Sequence, residues 1–301
     1  MKKLLCILLL ALMILPLADT RASALVEENP CLNAAFSMIE PDNIFLRRYN
    51  EITGANVQAV FELGMPYMFG GQDGEDILAE APHYKKRRAW ESTKFYKAGK
   101  VYIYGFDCSG FTKWICTQVG WEPHPGLQDM IMKDEYKEKN HIFSGGTRAV
   151  KLKAKPMPAY DELRNTLQVG DFLVAKHSAR HIMMYMGTMR DYGFTAEEVP
   201  ELADYLDYPL VIHCGPSPVA GERFQKFIDE NEEYKSCFTT NGCVEVSIIG
   251  VPASKAPYHV ERVQKVKNNN FDYFMIDDGT YPLTIWDLPG ATSFAWYRVN
   301  P

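Results

Sequence analysis

The strongest constraint on this chain is the order in which its two hydrophobic periodicities occur. Up to residue 120, apolar residues recur at helical spacing, over 32–39, 44–52, 57–63 and 108–119, the last two stretches closed by Gly64 and Gly120. From residue 167 onward they come in short runs bounded by turn residues: 172–175 behind a turn, 181–187, 210–214 and 244–251. The runs 283–286 and 293–298, joined by Leu288-Pro289-Gly290, are expected to form a closing hairpin. Helices first and strands later predict an α+β fold, with helices packed on a central antiparallel sheet. Three insertions interrupt it, at about 121–165, 189–208 and 216–262. The first is irregular and rich in Pro, Lys and Gly, the second partly helical. The third has a helix over 221–231 and a hairpin around Asn241-Gly242.

The first 24 residues stand apart. Lys2 and Lys3 precede an apolar run from Leu4 to Leu17, and Ala22-Ser23-Ala24 offers a small-residue cleavage site, the pattern of a secretory signal peptide. The run is short for a bilayer span, which needs about 20 residues. Residues 25–55 then form an N-terminal helical segment, and 56–301 the principal domain. The whole chain carries a net charge of −6, and losing a leader with three basic residues and one aspartate makes it more negative. That balance argues against a nucleic-acid binder. Export permits disulfides. Cys237 and Cys243, either side of the Asn241-Gly242 turn, are the nearest pair, as a bridge or as two core thiols.

The stretch 104–120 holds two cysteines that face different fates. From Cys108 the apolar residues fall at 108, 111, 115 and 119, one face of a helix for which Asp107 is the N-cap. Cys108 then lies in the first turn, where the backbone N–H groups and the positive end of the dipole favour a thiolate. Ser109 and Gly110 are small enough to let a substrate backbone approach. Cys116, two turns further in, is a core thiol.

A nucleophilic thiolate needs a base, usually histidine. His83, His124, His141 and His259 lie in polar, loop-like surroundings, and His177 precedes a polar turn. His181 instead opens a strand, which fixes a ring better than a loop does. It reads equally as a general base or as a satisfied half-buried strand histidine. His213 interrupts the apolar run 210–214, where a polar side chain costs stability unless it finds a partner. On a neighbouring strand it would orient His181, the third role in a triad; the alternative is a buried histidine satisfied by backbone. No paired short Cys/His spacing of zinc type occurs, and neither a metal nor a cofactor is implied.

Four motifs in order resemble the NlpC-like cell-wall peptidase family, which are papain-like cysteine peptidases. Asp107-Cys108-Ser109-Gly110-Phe111 resembles its nucleophile motif, and Pro66-Tyr67-Met68-Phe69-Gly70-Gly71 its Tyr-x-x-Gly-Gly segment. Leu167-Gln168-Val169-Gly170-Asp171 resembles its Leu-x-x-Gly-Asp turn, and His181-Ile182-Met183-Met184-Tyr185 its histidine strand. The resemblance implies a papain-like core and hydrolysis of an amide in peptidoglycan stem peptides, typically between γ-D-glutamate and a diamino acid, through a Cys108–His181–His213 triad. It also implies substrate contacts from Tyr67, Asp107 and Ser109, for the last two beside their plain roles of cap and spacer. Expected partners are stem peptides, and the expected location is secreted or periplasmic, at the cell envelope. The alternatives are a related amidase or acyltransferase using the same residues, and a catalytically silent wall-binding protein.

Overall fold

The computed structural model describes residues 29–41, 43–60, 64–68, 70–71, 78–80, 101–103, 105–120, 165, 167–176, 180–216, 226–227, 229–232, 242–249, 272–275, 284–287 and 293–297. The expected leader, the basic run 85–88, Cys237 and histidines 83, 124, 141, 177 and 259 lie outside them. So do nearly all of the insertion at 121–165 and most of the helix expected over 221–231.

Helix α1 (Pro30–Phe36) begins where Asn29 accepts the Leu32 N–H and Pro30 occupies the first turn. Helix α2 (Ile44–Thr53) is capped by Asn43, which accepts from Phe45 and Leu46, and stops at Gly54 in the left-handed region (φ 65°). The expected helix over 57–63 is not formed at its start, since residues 54–60 are irregular. Asn50 explains this. Its side chain donates to the Val57 carbonyl (2.9 Å) and accepts the Val57 N–H (3.1 Å), engaging the carbonyl that a helix over 57–63 would have used and holding the N–H that would have opened it.

Both helices are built into the core. The Phe36 and Tyr49 rings stack at 4.5 Å, and Tyr192 meets Phe36 and Phe45 edge-on. Arg48 donates to the carbonyls of Tyr192 and Gly193, both at 2.9 Å, and its guanidinium lies over the Phe194 ring.

The remaining elements are β1 (Leu78–Glu80) and β2 (Val101–Ile103), a small antiparallel pair, then helix α3 (Cys108–Gln118). They are followed by β3 (Phe172–Lys176), β4 (Arg180–Thr188), 3-10 turns at Met189–Tyr192 and Pro200–Tyr205, and β5 (Pro209–Pro216). The last are β6 (Gly242–Ile249), β7 (Asp272–Met275), β8 (Thr284–Asp287) and β9 (Ser293–Tyr297). Seven strands form one sheet in the order β7-β8-β6-β5-β4-β3-β9. Helices plus this sheet make an α+β fold, and all neighbours are antiparallel except β6 and β8.

The expected closing hairpin is corrected by this order. β8 pairs with β6 and β7, whereas β9 pairs with β3, so four strands separate them. Leu288-Pro289-Gly290 marks a turn in sequence, but long-range pairing decides where each strand goes.

Alternate residues of the central strands fill the core: Ile182, Met184 and Met186 on β4; Leu210, Ile212 and Cys214 on β5; Val244, Val246 and Ile248 on β6. Phe111, Ile115 and Cys116 of α3 belong to the same cluster, as do the buried residues of α1 and α2. Helix α3 packs on β4 and β5, which brings Cys108 to the strands that carry the two histidines.

Candidate active site

Cys108 is the first residue of α3, and the turn before it is held by one carboxylate. Asp107 caps the helix through Oδ1, which accepts the Gly110 N–H (2.7 Å) and the Ser109 hydroxyl (2.8 Å). Its Oδ2 accepts the Gly70 N–H (3.1 Å). Asp107 is buried, so these bonds exchange strongly for solvation. Of the two roles open to Asp107 and Ser109, these contacts are those of cap and spacer.

Gly71 serves backbone approach, and Gly70 before it turns in the left-handed region (φ 86°). A side chain on Gly71 would overlap the Gly105 carbonyl, and one on Gly105 would overlap that of Pro66. Freed of side chains, the two segments zip together: Met68 N–H to Phe106 O (2.8 Å), Phe106 N–H to Pro66 O (3.0 Å) and Asp107 N–H to Gly71 O (3.1 Å). Tyr67 bridges to Phe106 on this side, and its N–H donates to Gly242 at the start of β6 (2.8 Å). Tyr67 is half-buried, one backbone bridge from the nucleophile turn.

The Gly170-Asp171 turn aligns the histidine strand. Gly170 has φ 93°, the Asp171 carboxylate accepts the Gln168 N–H (2.8 Å), and Asn29 donates to the Val169 carbonyl (2.8 Å). Gly170 and Asp171 then exchange backbone bonds with Tyr185, both at 2.8 Å.

His181 opens the core of β4, and its Nε2 lies 3.2 Å from His213 Nδ1 on β5. The rings meet edge to face, with centroids 5.0 Å apart. The β4–β5 register (Tyr185 opposite Val211), continued, puts Gly215 across from His181. That glycine makes room: a Cβ there would stand 3.1 Å from His181 Cε1 and 3.3 Å from His213 Nδ1. Burial, and then the neighbouring His181, hold His213 well below the ordinary histidine range, so its ring is neutral.

Two residues that the sequence did not single out complete this cluster. Ser247 Oγ lies 2.8 Å from His213 Nε2, and Glu245 Oε1 lies 3.7 Å from the same nitrogen. Glu245 pairs directly with His213 across β5 and β6, and Ser247 follows two positions on. The available signal was the alternation Val244-Glu245-Val246-Ser247-Ile248, two polar residues on one face of a strand that is buried throughout.

A thiol ties the cysteine side of the site to the histidine side. Cys214, next to His213, lies 3.3 Å from the Phe106 carbonyl, two residues before Cys108. Burial first, and then its acidic neighbours Cys243, Cys108, Asp107 and Glu245, push the Cys214 thiol well up, so it stays protonated and donates. Cys116 is fully buried with its thiol likewise pushed up by burial, and Cys31 beside it is pushed up to about 12. Cys243 carries a thiol and not a disulfide. Among the described residues, no group of three or more His, Cys, Asp or Glu could hold a metal ion.

Exposure grades across the site. Cys108 keeps 9% and His181 7%, while His213 and Ser247 keep none, so the outer pair touches solvent and its support is sealed. The NlpC/P60 family model matches residues 64–192. No curated protein and no solved structure matches the chain. The matched residues include the glycine pair, Cys108, the Gly-Asp turn and His181, and they end before His213. Over residues 64–192 the chain is therefore similar to the NlpC/P60 family, whose members are generally cell-wall cysteine peptidases and hydrolases.

Proposed function

We propose that this protein is a secreted cysteine peptidase that hydrolyses an amide of peptidoglycan stem peptides, between γ-D-glutamate and a diamino acid. The observation that carries it is the His181–His213 pair at 3.2 Å, on strands against which the Cys108 helix packs. Cys108 attacks the carbonyl as thiolate, favoured by its place at a helix start. His181 takes the thiol proton on Nδ1, since Nε2 faces His213. It later gives that proton to the leaving amine and activates the water that releases the acyl-enzyme. His213 orients the imidazolium. The oxyanion is met by the Cys108 N–H and the Tyr67 hydroxyl, a type of contact that contributes about 3 kcal/mol. Asp107 and Ser109 shape the surface on which the stem peptide lies.

The leader read in residues 1–24 supports delivery to the envelope. Among the described residues no helix is long and apolar enough to cross a membrane. The test is mass spectrometry of muropeptides after incubation with the protein. Cleavage at the γ-D-glutamyl bond, lost in Cys108→Ala, is expected. Transfer of the acyl group to an added amine would instead indicate an acyltransferase, and binding to sacculi without turnover a wall-binding protein.

A further inference from the structure

The histidine pair faces a choice that its own geometry leaves open. His213 is neutral, so it has one ring proton, on Nδ1 or on Nε2. For Cys108 to lose its proton to His181 Nδ1, that nitrogen must be bare and the His181 proton must sit on Nε2. His181 Nε2 therefore donates, and His213 Nδ1, 3.2 Å away, must accept. The His213 proton then belongs on Nε2, at the far end of the ring.

We propose that Ser247 and Glu245 are positioning residues that hold the His213 proton on Nε2, and through it keep His181 in the tautomer able to deprotonate Cys108. Ser247 Oγ, at 2.8 Å, is the acceptor for that proton. A hydroxyl alone is ambivalent, because it donates as readily as it accepts. Glu245 settles the polarity: its Oε1 stands 3.7 Å from the same nitrogen, and a carboxylate there favours an N–H and opposes a bare nitrogen. The backbone makes this arrangement rigid. His213 is paired with Glu245 in register, Ser247 lies two positions along β6, and His213 and Ser247 are sealed from solvent. Water therefore offers Nε2–H no substitute partner, so once both the hydroxyl and the carboxylate are removed nothing holds the proton at that end of the ring. The ring can then carry its proton on Nδ1, and in that form His181 Nε2 is forced to accept and His181 Nδ1 becomes protonated. Cys108 loses its base while every side chain stays in place.

The proposal rests on the catalytic reading above, but one of its tests does not. In the full-length protein labelled with 15N-histidine, the ring signals of His213, assigned by their loss in His213→Gln, should show a protonated Nε2 and a bare Nδ1. The double variant Ser247→Ala, Glu245→Leu should place the proton on Nδ1, and Ser247→Thr alone, which keeps both the hydroxyl and the carboxylate, should keep the native pattern. In turnover assays the double variant should lower kcat ~30-fold with KM within twofold, Ser247→Ala and Glu245→Gln alone should each lose ~5-fold, and Ser247→Thr should stay near wild type. A wild-type His213 protonated on Nδ1, or an unaltered tautomer in the double variant, overturns the proposal whatever the activity. A lowered melting temperature with normal kcat and tautomer also overturns it, since that is a packing role alone. Turnover that survives in Cys108→Ala overturns the catalytic reading separately.

Discussion

Two regions build this site by opposite means. Residues 64–120 assemble it by bringing backbones together: Gly71 against Gly105, Met68 against Phe106, one aspartate across a helix start and a loop. Strands β5 and β6 assemble it by lining up side chains: His213 on His181, Ser247 and Glu245 on His213. In the first region an added carbon does the damage. In the second, damage follows from a lost polar atom. The family match includes the first and stops short of the second, so the supporting end of the site lies on strands outside the recognised segment.

The largest effect should come at the joint between the two. Cys108→Ala should lower turnover by at least ~10³-fold while leaving the melting temperature close to native. Cys116→Ala, on the same helix, should keep most activity and lose about 1–2 kcal/mol of stability, since it empties core volume. Equal losses in the two variants would refute the assignment.

Next comes the polar region. His213→Ala should depress kcat by ~10²-fold or more with little change in KM, and Gln should recover part of it by restoring a polar partner. A lowered melting point with normal kcat would remove His213 from the site.

For the backbone region, Gly71→Ala should destabilise by about 3 kcal/mol or more, read as a shift in the urea midpoint, because the obstacle is a carbonyl and not a flexible side chain. Gly215→Ala provides the contrast. The three atoms nearest its Cβ would all be imidazole atoms, at 3.1–3.6 Å, so the rings yield by tenths of an ångström. A few-fold fall in kcat with stability almost unchanged is expected. Should Gly215→Ala prove the more destabilising of the two, the contrast between the regions fails.

The smallest effect is a pH slope. An unfolded histidine takes up a proton near pH 6.5, but folded His213 resists it because it is buried beside His181. The unfolded state thus binds more protons as pH falls below about 6.5. Stability is full above that pH and declines below it, by at most ~1.4 kcal/mol per pH unit for this one group. Melting curves of wild type and His213→Gln between pH 7 and 5 should diverge by that slope, the variant being the flatter. Parallel curves would mean that His213 titrates as an ordinary histidine.

This difference between the regions also explains what was legible beforehand. Backbone demands leave local marks: Asp107 before a helix, glycines where chains touch, Gly170-Asp171 in a turn, His181 at the head of an apolar run. Each occupies the place its motif led one to expect. Side-chain relays leave fainter ones. That Glu245 and Ser247 serve His213 depends on which strand lies beside β5 and in which register, and neither is written within a few residues of any of them. The same cause misplaced the C-terminal runs, whose local turn suggested a hairpin that long-range pairing dissolves. The missing helix after residue 56 is a smaller case. Asn50, seven positions before Val57, competes for its backbone, and a count of apolar spacing does not see that.

The partnership of β9 with β3 has a consequence in time. Leu173 and Trp296 face each other across a closure of ~120 residues, a costly loop to draw shut and a slow one. Strand β3 is also the neighbour of β4, so the strand beside the one that presents His181 keeps an open outer edge until residues 293–297 arrive. A growing polypeptide can therefore carry Cys108, His181 and His213 well before the sheet beneath them can be closed on its β3 side.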